Sequence, residues 1–270
     1  MAKNIPITVI NLKKDIDRKN NITQQLNKLS LEFDFFDAIY GSNLSSDELN
    51  AAYNPKNSIE KGMKVLNKGE VGATLSHFSI YQKMINENID RMVILEDDAI
   101  VGQNFVEALS VIEYLPQNWE LCLLGYQSGR VSPCNFNIKI KNSPSSLKVG
   151  ISPRARGGTF CYVINKKGAQ RMLSYKDSLY QVIDRYTGNH CMVNVYVISP
   201  RVVEHSPDFE SSVGYETENT PNWKKKKIIK SIRDFNRKRR KRRQKNGVFS
   251  VRCILRKIKF RMKYGFKGYS

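Results

Sequence analysis

The last 47 residues of the chain almost entirely lack acidic side chains. Residues 224–270 contain 21 Lys or Arg and one acid, Asp234, whereas residues 1–223 contain 24 basic and 24 acidic residues. The net charge of +20 therefore belongs to the C-terminal segment alone. Because the first 223 residues are neutral, they have no basic excess with which to attract nucleic acid, whatever the overall pI suggests.

Two further features are scarce. The five cysteines are odd in number, widely spaced and contain no Cys-x-x-Cys, which argues against a disulfide framework and against a zinc site. No apolar run approaches the roughly 18–20 residues that span a bilayer, and the opening residues do not resemble a signal peptide. We therefore expect a cytoplasmic protein. The cysteines are Cys122, Cys134, Cys161, Cys191 and Cys253.

The neutral part is long enough for one α/β domain of ordinary size. Strand patterns alternate with helical patterns along it, which predicts a largely parallel sheet covered on both faces. A polar turn is predicted at 13–18, a capping box opens a short helix at Ser45-Ser-Asp-Glu48, and residues 127–152 suggest a long loop or a β-hairpin. The predicted strands are 5–12, 33–39, 91–95, 119–124, 159–164 and 192–198, and the predicted helices are 22–29, 72–88, 105–115 and 166–174.

Three consecutive acids end the most apolar of these strands. Residues 91–95 form a continuous apolar run that stops at Glu96-Asp97-Asp98. In open α/β sheets ligands bind beyond the carboxyl ends of the strands, and crowded carboxylates repel one another unless a cation neutralises them. A hard ion such as Mg²⁺ or Mn²⁺, held by carboxylates and substrate phosphates, suits a nucleotide-sugar diphosphate. The alternative is a solvated turn whose acids cap the next helix.

The neighbouring motifs favour the first interpretation. In order and spacing, the chain from residue 5 to residue 213 resembles glycosyltransferase family 25, which includes bacterial lipooligosaccharide galactosyltransferases and collagen-modifying enzymes. The departures are Ala73 where Cys is usual, Cys161 where Ala is usual, and no Pro two residues before Asp184. The matching segments are Asn11-Leu12 with Arg18, Gly69-Glu-Val-Gly-Ala-Thr-Leu-Ser-His77, Val93-Ile-Leu-Glu-Asp-Asp98 and Gly158-Thr-Phe-Cys-Tyr162.

The resemblance implies a GT-A fold: a Rossmann-like, mostly parallel central sheet flanked by helices, here followed by a basic helical C-terminal extension. It also implies a UDP-sugar donor and inverting transfer with a divalent ion, Mn²⁺ or Mg²⁺. Asp98 is the expected metal ligand, and Glu96 is expected to contact the donor ribose, the metal or a metal-bound water. His205 is a candidate third ligand, with a locally bonded loop histidine as the alternative.

The remaining roles rest on the same resemblance. Inverting transfer needs a base for the acceptor hydroxyl, and we predict Asp184, in a polar loop, with Asp208 and Glu210 as rivals. Arg154 and Arg156 either help to hold phosphates or are surface charges. The alternative for Asp97 is a structural role, and the alternative for His77 is the capping of buried polar groups. The residues predicted to bind the donor are Asn11, Leu12, Arg18, Ser76, His77, Glu96, Asp97, Gly158 and Thr159.

The basic segment has its own pattern. Apolar residues recur at helical intervals in 248–267 with Lys and Arg between them, which predicts an amphipathic helix in an anionic membrane surface. The alternatives are a disordered solvated tail and, less favoured, a nucleic-acid-binding segment. We therefore predict a GT-A catalytic domain at 1–223 and a membrane-association tail at 224–270. Attachment to the inner face of the cytoplasmic membrane would bring the enzyme to a lipid-linked acceptor.

The sequence thus predicts an enzyme that transfers a hexose, most simply galactose, from a UDP-sugar to a lipooligosaccharide. A second reading keeps the fold and uses UDP-glucose or a UDP-N-acetylhexosamine as donor. A third, from another class, is a nucleic-acid-binding protein that acts through its basic tail, for which binding should depend steeply on salt.

Overall fold

The computed structural model describes residues 5–126, 136–138, 147–151, 158 and 160–209, with the backbone alone for 136–138 and 151. The chain divides into two units, Met1–Gly214 and Tyr215–Ser270, and every described residue belongs to the first. The predicted amphipathic helix and its basic flanks lie outside the described residues. Among the helices that are described, none has the length and apolarity needed to cross a membrane.

The described part of the chain contains ten strands and seven α-helices. The strands are β1 (Ile7–Asn11), β2 (Asp34–Asp37), β3 (Arg91–Glu96), β4 (Ala99–Val101), β5 (Leu121–Gly125), β6 (Phe136–Ile138), β7 (Lys148–Ile151), β8 (Cys161–Asn165), β9 (Val195–Ser199) and β10 (Val203–His205). The helices are α1 (Ile16–Lys28), α2 (Ser46–Ala52), α3 (Pro55–Glu60), α4 (Lys68–Asn86), α5 (Phe105–Val111), α6 (Lys166–Leu173) and α7 (Ile183–Thr187). Short 3₁₀ turns occupy Gly41–Asn43, Ile112–Tyr114 and Lys176–Ser178.

One sheet runs in the order β2-β1-β3-β8-β5-β9-β7-β6. Strand β1 is parallel to β2 and β3, and β9 is parallel to β5. Strand β8 is antiparallel to both β3 and β5, so β3 and β5 point the same way on either side of it. Of the six strands β2, β1, β3, β8, β5 and β9, all but β8 therefore share one direction, and the predicted α/β fold with a mostly parallel central sheet is confirmed.

Strand β3 lies at the centre of the core. Its residues from Met92 to Leu95 are all buried, and the strand lies between β1 and β8. Phe78, Tyr81 and Met84 of α4 belong to the same apolar cluster as Ile94. Burying each such side chain contributes about 1.5–3 kcal/mol to folding. This packing fixes the end of β3, where the acids follow.

Helix α4 begins four residues before its predicted start at 72. Asn67 and Glu70 form a capping box that opens the helix, so Glu70 of the Gly-Glu motif is a capping residue. Gly72 permits a close approach: a Cβ there would lie 2.6 Å from the backbone nitrogen of Gly41 and the carbonyl oxygen of Ile39. The motif that carries the resemblance therefore serves, in part, to pack α4 against residues 39–41.

Several local predictions were wrong. The turn at 13–18 gives way to α1 at Ile16, so Arg18 belongs to a helix. Asp184 lies in the first turn of α7 and not in a loop. Strands β4 and β10 and helix α3 were not predicted, because three to six residues are too few to show a hydrophobic period. In 127–152, the antiparallel pair β6–β7 matches the hairpin alternative.

Candidate active site

The predicted acidic cluster lies where β1 and β3 end together. The two strands are parallel, with Ile10 opposite Glu96, so Asn11 and Asp97 follow at the same edge of the sheet. Asn11 Nδ2 donates a hydrogen bond to Asp97 Oδ2 at 2.8 Å, and a second one to the carbonyl oxygen of Asp15 at 3.1 Å. The Asn11 amide thereby joins the ends of two strands to the start of α1.

Asp97 is held on its other oxygen by Arg18. Arg18 Nη1 donates to Asp97 Oδ1 at 3.1 Å and lies 3.4 Å from Asp98 Oδ2. The Arg18 and Asp97 side chains are both about nine-tenths buried. Burial raises the pKa of Asp97 above its usual value, and the bonds from Asn11 and Arg18 offset this only in part. Both oxygens of Asp97 thus have partners within the protein, as expected of a residue that fixes the shape of the site.

These contacts bear on two points of the sequence argument. Arg18 supplies one of the positive charges that the acidic cluster requires, so a divalent ion is not the only source of neutralisation. The Arg18 guanidinium also lies within hydrogen-bond distance of Asp97 and Asp98. It stacks over the ring of Phe209, with 5.3 Å between Arg18 Cζ and the ring centre. All of these contacts are internal, and the predicted contacts of Asn11, Arg18 and Asp97 with a donor stay predictions.

Asp98 meets His205 because β10 folds back beside β4. The two strands are antiparallel with His205 opposite Ala99, and the backbone N–H of Ser206 donates to the carbonyl oxygen of Asp98 at 2.8 Å. His205 Nε2 lies 3.3 Å from Asp98 Oδ2. Asp98 Oδ1 is buried and has no hydrogen-bond partner among the described residues. A buried carboxylate oxygen without a partner is costly unless a ligand satisfies it.

The donor atoms at Asp98 and His205 suit a divalent cation. Carboxylate oxygen and imidazole nitrogen are ordinary ligands of Mn²⁺, and ions of this kind usually complete their shells with water and substrate phosphates. Within the described ranges, no group of three His, Cys, Asp or Glu side chains is arranged to hold a metal. The fit therefore rests on two protein ligands, and the third predicted ligand, Glu96, stays a prediction.

Glu96 faces an excess of negative charge. Its side chain is 30 % exposed. Burial, followed by the charges of Asp98, Asp184 and Asp97, raises the pKa of Glu96 well above its usual range, against a smaller opposing effect of Arg18. The single guanidinium does not balance the cluster. A cation or a proton at this edge of the sheet would therefore be stabilised.

Asp184 reaches the same cluster from α7. Its charge acts on Glu96, and its Oδ2 accepts a hydrogen bond from the backbone N–H of Gly158 at 2.8 Å. Gly158 has a φ of +79°, a left-handed conformation that favours glycine. The structure thus brings together three residues that the sequence singled out separately, and the N–H of Gly158 orients the Asp184 carboxylate.

His77 lies behind Glu96 and is fully enclosed. Its Nδ1 is 2.7 Å from the hydroxyl of Tyr162, and its Nε2 is 3.9 Å from Glu96 Oε1. The Tyr162 hydroxyl is 2.5 Å from that of Tyr81. Burial lowers the pKa of His77 to about 3, so the ring is neutral. The sequence analysis gave Tyr81 and Tyr162 no role. The available signal was Tyr162, a hydroxyl-bearing side chain inside the buried strand β8.

The other predicted positions divide into two groups. The Ser76 hydroxyl accepts a hydrogen bond from the N–H of Ile39 and donates to the carbonyl of Gly72, both at 2.8 Å, so its contacts are internal to the fold. The carbonyl oxygen of Leu12 accepts from Asp15 N–H at 2.8 Å, and the backbone N–H of Asp208 donates to Ser206 Oγ at 3.2 Å. Outside the described residues lie Thr159, Arg154, Arg156 and Glu210.

Comparison with known proteins identifies close similarity to one family. Residues 4–187 match the family model described as glycosyltransferase family 25 (LPS biosynthesis protein). The matched range includes Asn11, the acidic cluster and Asp184, and it ends before His205. It therefore covers most of the residues that the geometry brings together.

Individual relatives are more distant. The chain is 25% identical over 174 residues to procollagen galactosyltransferase 2 of Homo sapiens, covering 62% of this chain and 27% of that protein. It is 25% identical over 189 residues to lipooligosaccharide biosynthesis protein lex-1 of Haemophilus influenzae, covering 62% of each. It is 27% identical over 175 residues to probable inactive glycosyltransferase 25 family member 3 of Rattus norvegicus, covering 62% of this chain and 28% of that protein. The chain thus spans about a quarter of the animal relatives, and on the extent of the family match it belongs to glycosyltransferase family 25.

Proposed function

We propose that this family member is an inverting, metal-dependent galactosyltransferase that uses UDP-galactose and extends a lipooligosaccharide. The observation that carries the proposal is the buried, unpartnered Oδ1 of Asp98 beside His205. It lies at the sheet edge that also holds Glu96 and Asp184. A diphosphate bound there would meet two metal-ligating side chains and a cluster that retains excess negative charge.

We assign separate roles in metal binding, support of the site and donor contact to the residues of the acidic cluster. Asp98 and His205 would hold the divalent ion, which when bound offsets the negative charge of the departing diphosphate. Asn11, Arg18 and Asp97 keep Asp98 in place through the internal contacts described above. Glu96, partly exposed at the mouth of the cluster, faces the donor.

Asp184 is the proposed general base. In a single displacement, the acceptor oxygen bonds to the anomeric carbon while the bond from that carbon to the UDP oxygen breaks. The acceptor hydroxyl proton passes to Asp184. The N–H of Gly158 holds one oxygen of Asp184 and so orients the carboxylate toward the reacting hydroxyl.

The sugar and the acceptor are supported by the relatives. The human relative is a galactosyltransferase by name, and the bacterial relative is a lipooligosaccharide biosynthesis protein. Since the chain covers 62% of the bacterial protein and only 27% of the human one, we propose the bacterial acceptor class for this chain. UDP-glucose and UDP-N-acetylhexosamines are the competing donors.

The basic segment at 224–270 is proposed to hold the enzyme on an anionic membrane. Its 21 basic residues and single acid support this, because each Lys or Arg near such a surface contributes on the order of 1 kcal/mol. A lipid-linked acceptor then lies in the same plane as the enzyme, at the inner face of the cytoplasmic membrane. The attachment is a matter of location and leaves the chemistry of the neutral part unchanged.

One experiment tests the donor and the metal together. The full chain is incubated with UDP-galactose, UDP-glucose and UDP-N-acetylhexosamines and a truncated lipooligosaccharide, with Mn²⁺ or with EDTA, and release of UDP is measured. We expect the fastest release with UDP-galactose and Mn²⁺. Equal rates in EDTA would reject the metal, a faster rate with another sugar would reject galactose, and no release with any donor would reject the transferase.

A further inference from the structure

Three buried polar groups form a continuous hydrogen-bonded row beneath Glu96. The row runs from the hydroxyl of Tyr81 to that of Tyr162 and then to Nδ1 of His77, at distances of 2.5 and 2.7 Å. Both tyrosines are completely buried, and His77 is 2 % exposed. His77 Nε2 is the end of the row that lies toward Glu96, at 3.9 Å from Oε1.

The position of the proton on the His77 ring decides whether Glu96 lies near an N–H or near a nitrogen lone pair. A neutral imidazole carries one proton, on Nδ1 or on Nε2, and the nitrogen without it is an acceptor. With the proton on Nε2, an N–H lies near the carboxylate and attracts it. With the proton on Nδ1, a lone pair lies near the carboxylate and repels it.

Counting donors distinguishes the two arrangements. If Tyr81 donates to Tyr162 and Tyr162 donates to His77 Nδ1, every hydroxyl hydrogen in the row has an acceptor and the ring proton is on Nε2. If the order is reversed, the Tyr81 hydroxyl hydrogen has no acceptor among the described residues. A buried donor left in that state costs about 1–3 kcal/mol. In the first order the donor without a hydrogen bond is the Nε2–H of His77, which lies near the Glu96 carboxylate and is attracted by it. The first order is therefore favoured, because only its unpaired donor faces a negative charge.

We propose that Tyr162 is a positioning residue that holds His77 in the tautomer with its proton on Nε2, and that this N–H orients the carboxylate of Glu96 toward the donor. The distance of 3.9 Å is too long for a direct hydrogen bond, so the attraction is electrostatic. The statement about Glu96 rests on the proposed function. The statement about the tautomer rests on the buried row and on the position of Glu96, and it does not depend on any activity.

Nitrogen NMR of the histidine rings tests the tautomer without any need for activity. The protein contains three histidines, and the signals of His77 are identified by their loss in His77→Gln. In the full chain we expect the shift of a protonated Nε2 and an unprotonated Nδ1. Tyr162→Phe should move the resonance of Nδ1 toward that of a nitrogen without a hydrogen bond, because Nδ1 loses its donor.

The Tyr81→Phe variant tests in which direction the hydrogen bonds of the row are donated. In the proposed order Tyr81 is only a donor, so Tyr162 still donates to His77 and the tautomer is unchanged. In the reversed order Tyr81 is the acceptor for Tyr162, and its loss would free Tyr162 to turn around. A protonated Nδ1 in the unmodified chain, or a change of tautomer in Tyr81→Phe, would overturn the proposal.

Kinetics test the orientation of Glu96. Groups that position a ligating carboxylate typically affect binding or activity 10–100-fold, so we expect Tyr162→Phe to raise the KM for the UDP-sugar about tenfold. The matched control is Tyr196→Phe, which also removes a buried hydroxyl, bonded to Asn118 at 2.9 Å. Equal KM values for the two variants would overturn the role of Glu96. If the full chain releases no UDP at all, the proposed function fails, and the NMR result still decides the tautomer.

Discussion

Arg18 Nη1 lies 3.1 Å from Asp97 Oδ1, and both side chains are about nine-tenths buried although 79 residues separate them in the sequence. An arginine stays charged at any pH at which the protein folds. The pair therefore places a permanent positive charge inside the acidic cluster. Its first consequence concerns stability, since a buried charge that loses its partner is far more costly than an exposed one.

Arg18→Met should lower the free energy of unfolding by about 3–5 kcal/mol, because Asp97 is left buried without its cation. Urea unfolding with a chelator present measures this. Lys13→Met is the matched control, since its partner Asp37 lies at 3.1 Å but both side chains are well exposed; its loss should be below about 1 kcal/mol. Similar losses of unfolding free energy in the two variants would show that burial does not increase the contribution of the Arg18–Asp97 pair to stability.

Glu96→Gln should make the protein more stable, and the gain should depend on pH. The pKa of Glu96 is raised in the folded state above its ordinary 4.5, so the folded protein binds the extra proton and loses stability as pH rises through the window above 4.5. Glutamine removes that loss, so the difference between the variants grows with pH and vanishes at or below 4.5. Urea unfolding at a series of pH values in EDTA measures it. The exposed Glu60→Gln should follow the unmodified protein throughout, and a gain independent of pH would contradict the assignment.

Asp98→Asn and His205→Gln should each abolish detectable binding of Mn²⁺ in the presence of UDP and reduce transfer at least about a hundredfold. Each removes one of the two proposed metal ligands, and a bound divalent ion supplies several kcal/mol of charge stabilisation. Isothermal titration with Mn²⁺ and UDP gives the binding, and UDP release gives the rate. Glu204→Gln, a neighbour of His205 on β10 with a mostly exposed side chain, is the control. Unchanged Mn²⁺ affinity in both test variants would place the metal elsewhere.

Ser76→Ala should destabilise the protein by about 1–3 kcal/mol without raising the KM for the donor, because it leaves the N–H of Ile39 without its acceptor. Thermal unfolding and donor kinetics separate the two effects. Ser110→Ala, which removes a bond to a carbonyl within one turn of chain, is the control and should be nearly neutral. A raised KM in Ser76→Ala alone would contradict this expectation and support the prediction that this hydroxyl binds the donor.

Removal of residues 224–270 should abolish binding to vesicles that contain anionic lipid and leave transfer to a soluble acceptor intact. The segment carries a net charge of +20, whereas the rest of the chain is neutral. Co-sedimentation with anionic and with neutral vesicles measures the binding, and raised salt should weaken it. Undiminished binding after the truncation would contradict the proposed role of the segment.

The end of β3 shows what the sequence could predict. The continuous apolar run and the three acids after it are local features, so the strand and the position of Glu96, Asp97 and Asp98 were evident. The α/β pattern predicts parallel strands whose carboxyl ends share one edge of the sheet, the edge where Asn11 and the acids lie, although it does not give the register of Ile10 opposite Glu96. The placing of Asn11 beside the acids was therefore within reach.

Long-range partners were not within reach. The row from Tyr81 to His77 joins α4 to β8, 81 residues apart, and nothing in the local pattern of either element specifies it. Arg18 was assigned to a turn because the start of α1 is polar, so its inward direction was missed. The three residues of β10 are too few for a strand pattern, and the meeting of His205 with Asp98 depends entirely on tertiary pairing.

The pairing of β10 also bears on where a self-sufficient fragment can end. The family match stops at residue 187, yet His205 and the Ser206 N–H that binds Asp98 lie beyond it. A shortened chain cut at the limit of the recognised family segment would lose β9 and β10 and, with them, one of the two proposed metal ligands. The smallest unit that retains the whole site therefore extends at least to Ser206.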